Sequence, residues 1–178
     1  MNESRISTRY AQALLLTLAD SPKAAEVYAQ ARGMLAVMQA GHAEIQRVLS
    51  SAVVDDASKG RFLTNLVQRF APELLALAKL MLQKGRGLYF ERTLYMFLAL
   101  YRRKNGIVSA TVRSVVPLNE AQQQSVERFL AARYSGHVEL EAELDPELIG
   151  GFQLEVDGGI YDRSVRGELT RMATSLAR

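Results

Sequence analysis

The sequence has no cysteine and no tryptophan, only two histidines and four prolines, and an aromatic share of 7%. Without cysteine there is no disulfide framework, no thiolate metal site and no cysteine nucleophile. Two histidines cannot build a His-rich metal cage. No stretch approaches the ~20 continuous apolar residues of a membrane span. Arg5 and Arg9 stand before a small apolar run from Ala11 to Ala19, a faint likeness to a signal peptide. Gln12 and Thr17 interrupt that run, Glu3 sits among the basic residues, and no small-x-small cleavage site follows. An amphipathic first helix on Ile6, Tyr10, Ala13, Leu14 and Thr17 fits the spacing better, so the chain is read as cytosolic and uncleaved. What remains is ordinary for one globular domain or two small ones: 178 residues, 48% hydrophobic and 23% charged.

Charge is unevenly placed. Residues 1–106 carry 15 Lys and Arg against 8 Asp and Glu, a balance of +7, whereas residues 107–178 carry 7 against 11, a balance of −4. Such asymmetry points to two modules with different partners, and a basic half raises nucleic acid or a membrane surface as candidates.

The first part reads as helices. Ser4 or Ser7 can cap the first, which ends near Asp20. Ser21-Pro22 supplies a cap and a proline at the first helical position of the second, which runs through Ala24, Val27, Ala31, Leu35 and Met38 to Gly41. Ala43 to Leu49 is a shorter piece. Asp55-Asp56 opens a fourth helix through Phe62, Leu63, Leu66, Val67 and Phe70. Pro72 starts a fifth with Leu74, Leu75, Leu77, Ala78, Met81 and Leu82, and Gly85 stands where a terminating glycine belongs. Leu88 to Lys104 is the sixth, with Arg102, Arg103 and Lys104 beside the negative end of its dipole. Six helices on short links must bury their stripes against one another, which predicts a six-helix bundle over residues 1–105.

After Gly106 the period changes to two. Ile107 to Val116 alternates Val108, Ala110 and Val112 against Ser109, Thr111 and Arg113, a strand with one wet face. Asn119 caps a helix through Tyr134, with Gln122 in the capping-box position and Gly136 just past the end. His137 to Leu144 alternates again, with Val138, Leu140, Ala142 and Leu144 on one side. Phe152 to Val156 is a third strand, Asp157-Gly158-Gly159 a turn, and Ser164 to Leu176 a last helix on Val165, Leu169, Met172 and Leu176. Residues 106–178 are thus expected to form a small β-α-β-β-α domain, and the fold class is α+β.

Motifs for chemistry are lacking. Neither a Walker-type loop nor a dinucleotide fingerprint is present. Lys84-Gly85-Arg86-Gly87 is basic and glycine-rich but sits at a helix junction, where a turn is the plainer reading than an anion site. His42 beside Gly41 is read as a loop residue and His137 as a strand start, neither with a carboxylate at an orienting spacing. Asp145, Glu147, Glu155, Asp157 and Asp162 match no calcium loop and read as a solvated acidic face. Lys79, Lys84, Arg86, Arg92, Arg102, Arg103 and Lys104 form a basic cluster near Tyr89, Phe90, Tyr95, Phe97 and Tyr101. The helical spacing of those aromatics suits packing better than base stacking. A basic helical nucleic-acid-binding protein is the alternative reading. No cofactor, metal or catalytic residue is expected. Leu148-Ile149-Gly150-Gly151-Phe152 stands out, because paired glycines between a turn and a strand permit positive φ or close backbone approach.

In order along the chain, Arg9-Tyr10-Ala11-x-Ala13-Leu14, then Gly106 with Ser109-Ala110-Thr111-Val112 and Val115-Val116-Pro117-Leu118, form a recognisable series. Asp145-Pro146-Glu147-Leu148-Ile149-Gly150-Gly151-Phe152 and Asp162-x-Ser164-Val165-Arg166 with Leu169 complete it. The set resembles the delta subunit of bacterial F-type ATP synthases, which is similar to the mitochondrial oligomycin-sensitivity-conferring protein. Arg163 stands where that family usually has glycine, and Lys79 to Phe90 lacks its usual Asn-Phe-Leu-type signature.

The resemblance implies a stator part and not an enzyme. Residues 1–105 would hold the amino-terminal helices of the alpha subunits on the catalytic head, with beta subunits as further possible neighbours. Residues 106–178 would hold the b subunits of the peripheral stalk. One copy per complex is implied, at the cytoplasmic face of the bacterial plasma membrane. It would meet the membrane only through the complex and bind no nucleic acid. For the head, a groove on helix one (Tyr10, Ala13, Leu14, Thr17) and helix five (Leu74, Leu75, Ala78, Lys79, Leu82) is the candidate. Core packing is an equal reading for any one of them, and Tyr10 is preferred because its hydroxyl wants a polar partner at an edge. For the stalk, Leu148, Ile149, Gly150, Gly151 and Phe152 are the candidates.

Overall fold

The computed structural model describes residues 3–19, 21–51, 53–134, 136–156 and 159–176. The chain divides into two compact units, Met1–Tyr101 and Arg102–Arg178. Helix and sheet segregate along it, as an α+β class requires.

Among the described residues six α-helices precede the first strand: α1 (Glu3–Thr17), α2 (Ala24–Ala40), α3 (His42–Ser50), α4 (Asp56–Val67), α5 (Pro72–Gln83) and α6 (Phe90–Asn105). Local rules set most of their ends. The Asp55 carboxylate accepts the Ser58 N–H at 2.7 Å and caps α4. The bonds from Ser58 hold the Asp55 carboxyl below its usual range. Pro72 occupies the first position of α5. Past its end Gly85 adopts φ 65°, letting Gly85 N–H reach Leu82 O (2.9 Å) and Arg86 N–H reach Met81 O (2.8 Å). That is the paired closure a left-handed glycine permits, so the turn reading of Lys84 to Gly87 holds. Two expected caps differ. Ser4 and Ser7 lie inside α1, where Ser7 is buried and its Oγ has no hydrogen-bond partner among the described residues. Ser21 Oγ accepts Lys23 N–H in the turn before α2, which begins at Ala24 without a side-chain cap. The expected first-helix end at Asp20 lies outside the described residues.

Each of these helices buries apolar positions, among them Leu14, Met34, Ile45, Leu63, Leu74 and Phe97. Tyr28 and Tyr101 stack face to face at 4.4 Å. The units part at Tyr101, four residues before the border read from the sequence, and the Arg102 guanidinium pairs with Glu139 in the second unit.

The second unit holds β1 (Ile107–Ser114), α7 (Glu120–Arg133), β2 (His137–Leu144), β3 (Gly151–Val156), β4 (Gly159–Ser164) and α8 (Val165–Leu176). The sheet order is β2-β1-β3-β4, with β2 parallel to β1 and the other pairs antiparallel. β4 corrects the expected β-α-β-β-α order, which had no strand between residue 157 and the last helix. Asp157 and Gly158, the first residues of the expected turn, lie outside the described residues, and Gly159 already belongs to β4. As an edge strand paired on one side only, β4 is made by its register with β3 and not by its own alternation. Asn119 and Gln122 form the expected capping box on α7. Val108, Ala110 and Val112 are buried and the intervening residues are wetter, as the alternation demanded. On β2 the alternation fades: Ala142 and Leu144 are exposed, since β2 is an edge and the core cluster takes in only Val138 and Leu140.

Candidate partner-binding surfaces

In the helical unit, the candidate groove residues separate by burial. Leu14, Leu74 and Ala78 are buried in the core. Tyr10, Leu75 and Leu82 are half-buried, while Ala13, Thr17 and Lys79 are exposed. α1 and α5 touch, so the half-buried and exposed members belong to one neighbourhood. Tyr10 sits at an edge: its hydroxyl accepts a bond from Arg86 Nη1 at 3.0 Å, and the guanidinium lies 5.8 Å from the ring centroid. Sequence reasoning missed two apolar side chains left in water on the same helices, Leu16 (75% exposed) and Leu80. Their signal was an apolar residue off the core stripe.

His42 is not a lone loop histidine. It is the first residue of α3, and its Nδ1 lies 2.9 Å from a Glu91 carboxylate oxygen on α6. The pair was missed because its members are 49 residues apart in sequence. Among the described residues no group of three acidic or histidine side chains could hold a metal ion. The acidic stretch is spent locally: Asp145 accepts Glu147 N–H, Glu147 pairs with Arg166, and Glu155 with Arg113. Asp162 accepts bonds from the Ser164 N–H and hydroxyl, which hold its carboxyl below the usual range. Ser164 in turn accepts Gly167 N–H and caps α8.

The segment Leu148 to Phe152 combines opposite roles. Leu148 is fully buried. Ile149 is 64% exposed and has φ 67°, an unfavourable backbone for a β-branched residue. Gly151 has φ 73°, and a Cβ there would fall on the Arg163 carbonyl oxygen. The close backbone approach expected of the paired glycines is therefore present between β3 and β4. Phe152 turns into a groove of about 660 Å³ between α7 and the sheet, shared with Leu118, Val126, Phe129, Leu154, Tyr161 and Arg163. Tyr134 and Tyr161 hydroxyls meet at 3.4 Å, and the contact pulls the Tyr161 phenol below its ordinary range. The opposite sheet face is polar, with Arg113 bonded to Glu155 and Glu143 on its two neighbouring strands, which holds its guanidinium still more firmly protonated.

Each unit thus leaves apolar side chains in water. The family model described as ATP synthase delta (OSCP) subunit matches residues 6–176. The chain belongs to that family. It is 33% identical over 175 residues to the ATP synthase subunit delta of Synechococcus sp. (strain CC9902), covering 97% of this chain and 96% of the relative. It is 34% identical over 177 residues to that of Synechococcus sp. (strain JA-3-3Ab), covering 98% and 96%. A chain of the Toxoplasma gondii mitochondrial ATP synthase hexamer shares the fold, with a TM-score of 0.71 at 24% identity over 97% of both chains. As a delta-family member the protein is a structural, non-catalytic subunit of the ATP synthase with a stator role. No described helix is long and apolar enough to cross a membrane. Family membership sets aside the nucleic-acid reading of the basic helices.

Proposed function

We propose that the chain ties the catalytic head of an F-type ATP synthase to the b subunits of its peripheral stalk, so that proton-driven rotation is coupled to ATP synthesis. Residues 1–105, as a six-helix bundle, hold the alpha subunits' amino-terminal helices, with beta subunits as neighbours. Residues 106–178 hold b. One copy serves each complex, at the cytoplasmic face of the bacterial plasma membrane. The carrying observation is the family match across residues 6–176. Its support is the presence, in each of two compact units, of apolar side chains that the unit leaves uncovered. A joint under torque favours such apolar seams over ion pairs that water and salt screen.

The head groove is assigned to the accessible members of the candidate set: Tyr10, Ala13 and Thr17 with Leu75, Lys79 and Leu82. Leu14, Leu74 and Ala78 form its floor. The stalk surface is assigned to Ile149 and Phe152, with Leu148, Gly150 and Gly151 fixing the backbone that presents them. Two full-length variants test the division. Ala13→Arg puts bulk and charge on an exposed position of α1, and Phe129→Asp removes an apolar ring from the groove beside Phe152 and puts a charge there. With helical circular dichroism intact, the first should lose at least about tenfold in affinity for the isolated head and keep b, and the second the reverse. Equal loss of both partners by either variant would refute the assignment.

A further inference from the structure

The sheet of the second unit is wider than the helix that covers it. Strands lie about 4.8 Å apart, and a helix with its side chains is about 10 Å across, so one helix roofs about two strands. α7 does so with Leu130, packed in one cluster with Val108, Ala110 and Val112 of β1 and Leu154 and Val156 of β3. The Phe152 end of β3 and the edge strand β4 lie beyond that cover, and they line the groove described above. Its walls are apolar, apart from Asn119, Gln122, Ser125, the Tyr161 hydroxyl and Arg163, which is the one charged side chain among the described residues lining it. Among the described residues no carboxylate pairs with Arg163. Asp162 beside it is committed to Ser164, and the residue across the ladder is Phe152. A second cation adds to the field, since the Arg133 guanidinium lies 6.0 Å from the Tyr161 ring centroid.

We propose that Arg163 is a specificity-determining residue that reads a carboxylate on the helix filling this groove. The inference rests on the reading of this unit as the stalk-binding one, and the occupant is one amphipathic helix of the b subunit with an Asp or Glu at its rim. The exposed rings of Phe129, Phe152 and Tyr161 select the apolar face of such a helix, and the uncompensated cation selects an acidic rim. An exposed pair of this kind adds little lifetime and mainly speeds encounter.

The test measures association and dissociation of the full-length protein with the soluble portion of the same organism's b subunit. Arg163→Gln should lower the association rate about three- to tenfold at low salt, and Arg163→Glu further, with dissociation nearly unchanged. The difference should close at about 0.5 M salt, where screening acts within a few ångströms. A b variant with the matching carboxylate changed to lysine should restore binding to Arg163→Glu. Unchanged association, or a loss that is salt-independent and lies in dissociation, would overturn the role and point to a merely structural strand residue. Failure of the unaltered protein to bind b would instead overturn the stalk reading itself, and this inference with it.

Discussion

Gly151→Ala is the sharpest probe of how the stalk-facing segment is built. Two costs meet at this position. The first is conformational: φ is 73°, and an L-residue there costs about 1–2 kcal/mol. The second is steric, because the new Cβ would fall on the Arg163 carbonyl oxygen, a backbone atom that cannot swing aside as a side chain can. Gly85→Ala separates the two. Gly85 has φ 65° and nothing within 4 Å of its would-be Cβ, so it bears the conformational cost alone. About 1 kcal/mol is expected for Gly85→Ala and about 3 kcal/mol or more for Gly151→Ala, since the hairpin must open where Gly151 pairs with Ser164. A single global unfolding curve suits a two-unit chain poorly. Amide hydrogen exchange read segment by segment is the better assay. Gly151→Ala should lower protection across β3 and β4 and leave α5 as it was, and Gly85→Ala should act at the end of α5. A Gly151→Ala effect no larger than that of Gly85→Ala would refute the close-approach argument.

Leu130 is the one fully buried side chain of α7, so Leu130→Ala should cost about 3 kcal/mol in sheet-amide protection and loosen the groove wall that Phe129 shares. Asp55 is held below the usual carboxylate range by its bonds from Ser58. Its contribution is therefore complete above the unfolded value of about 3.9 and lost as pH falls through the lower folded value. A carboxyl titration by NMR should give a midpoint below that of a free Asp, and the stability difference between Asp55→Asn and the unaltered chain should change across that window.

What could be read from the sequence was what short-range chemistry decides. Asp55, Pro72, Gly85 and Asn119 with Gln122 mark their helix ends because a cap, a fixed φ or a left-handed glycine acts within a few residues. The β1 alternation was legible because a strand with one wet face repeats every second residue. What escaped depends on partners distant in the chain. β4 exists because β3 lies beside it, His42 finds Glu91 only after α3 and α6 are packed, and Leu14, Leu74 and Ala78 cannot be told from groove residues until the neighbouring helices are placed. The groove escaped for the same reason. Phe129 one position before Leu130 widens the apolar stripe of α7, but only the strand order β2-β1-β3-β4 leaves Phe152 and the edge strand β4 without a roof.

That missing roof bears on how the joint works. A second unit folding for itself alone would gain by covering Phe129, Phe152 and Tyr161, or by replacing them with polar residues, as its other sheet face does with Arg113, Glu143 and Glu155. It does neither. Three aromatic rings at the edge of one slot, each more than a third exposed, represent burial free energy withheld until a partner helix arrives, at roughly 25 cal/mol per Å² covered. Apolar contact of this kind is indifferent to salt and sets how long the partner stays. A single rim cation such as Arg163 is screened in the bound state and acts chiefly on encounter. Lifetime and assembly rate are thereby assigned to different atoms, which suits a part that must assemble once and then hold against torque.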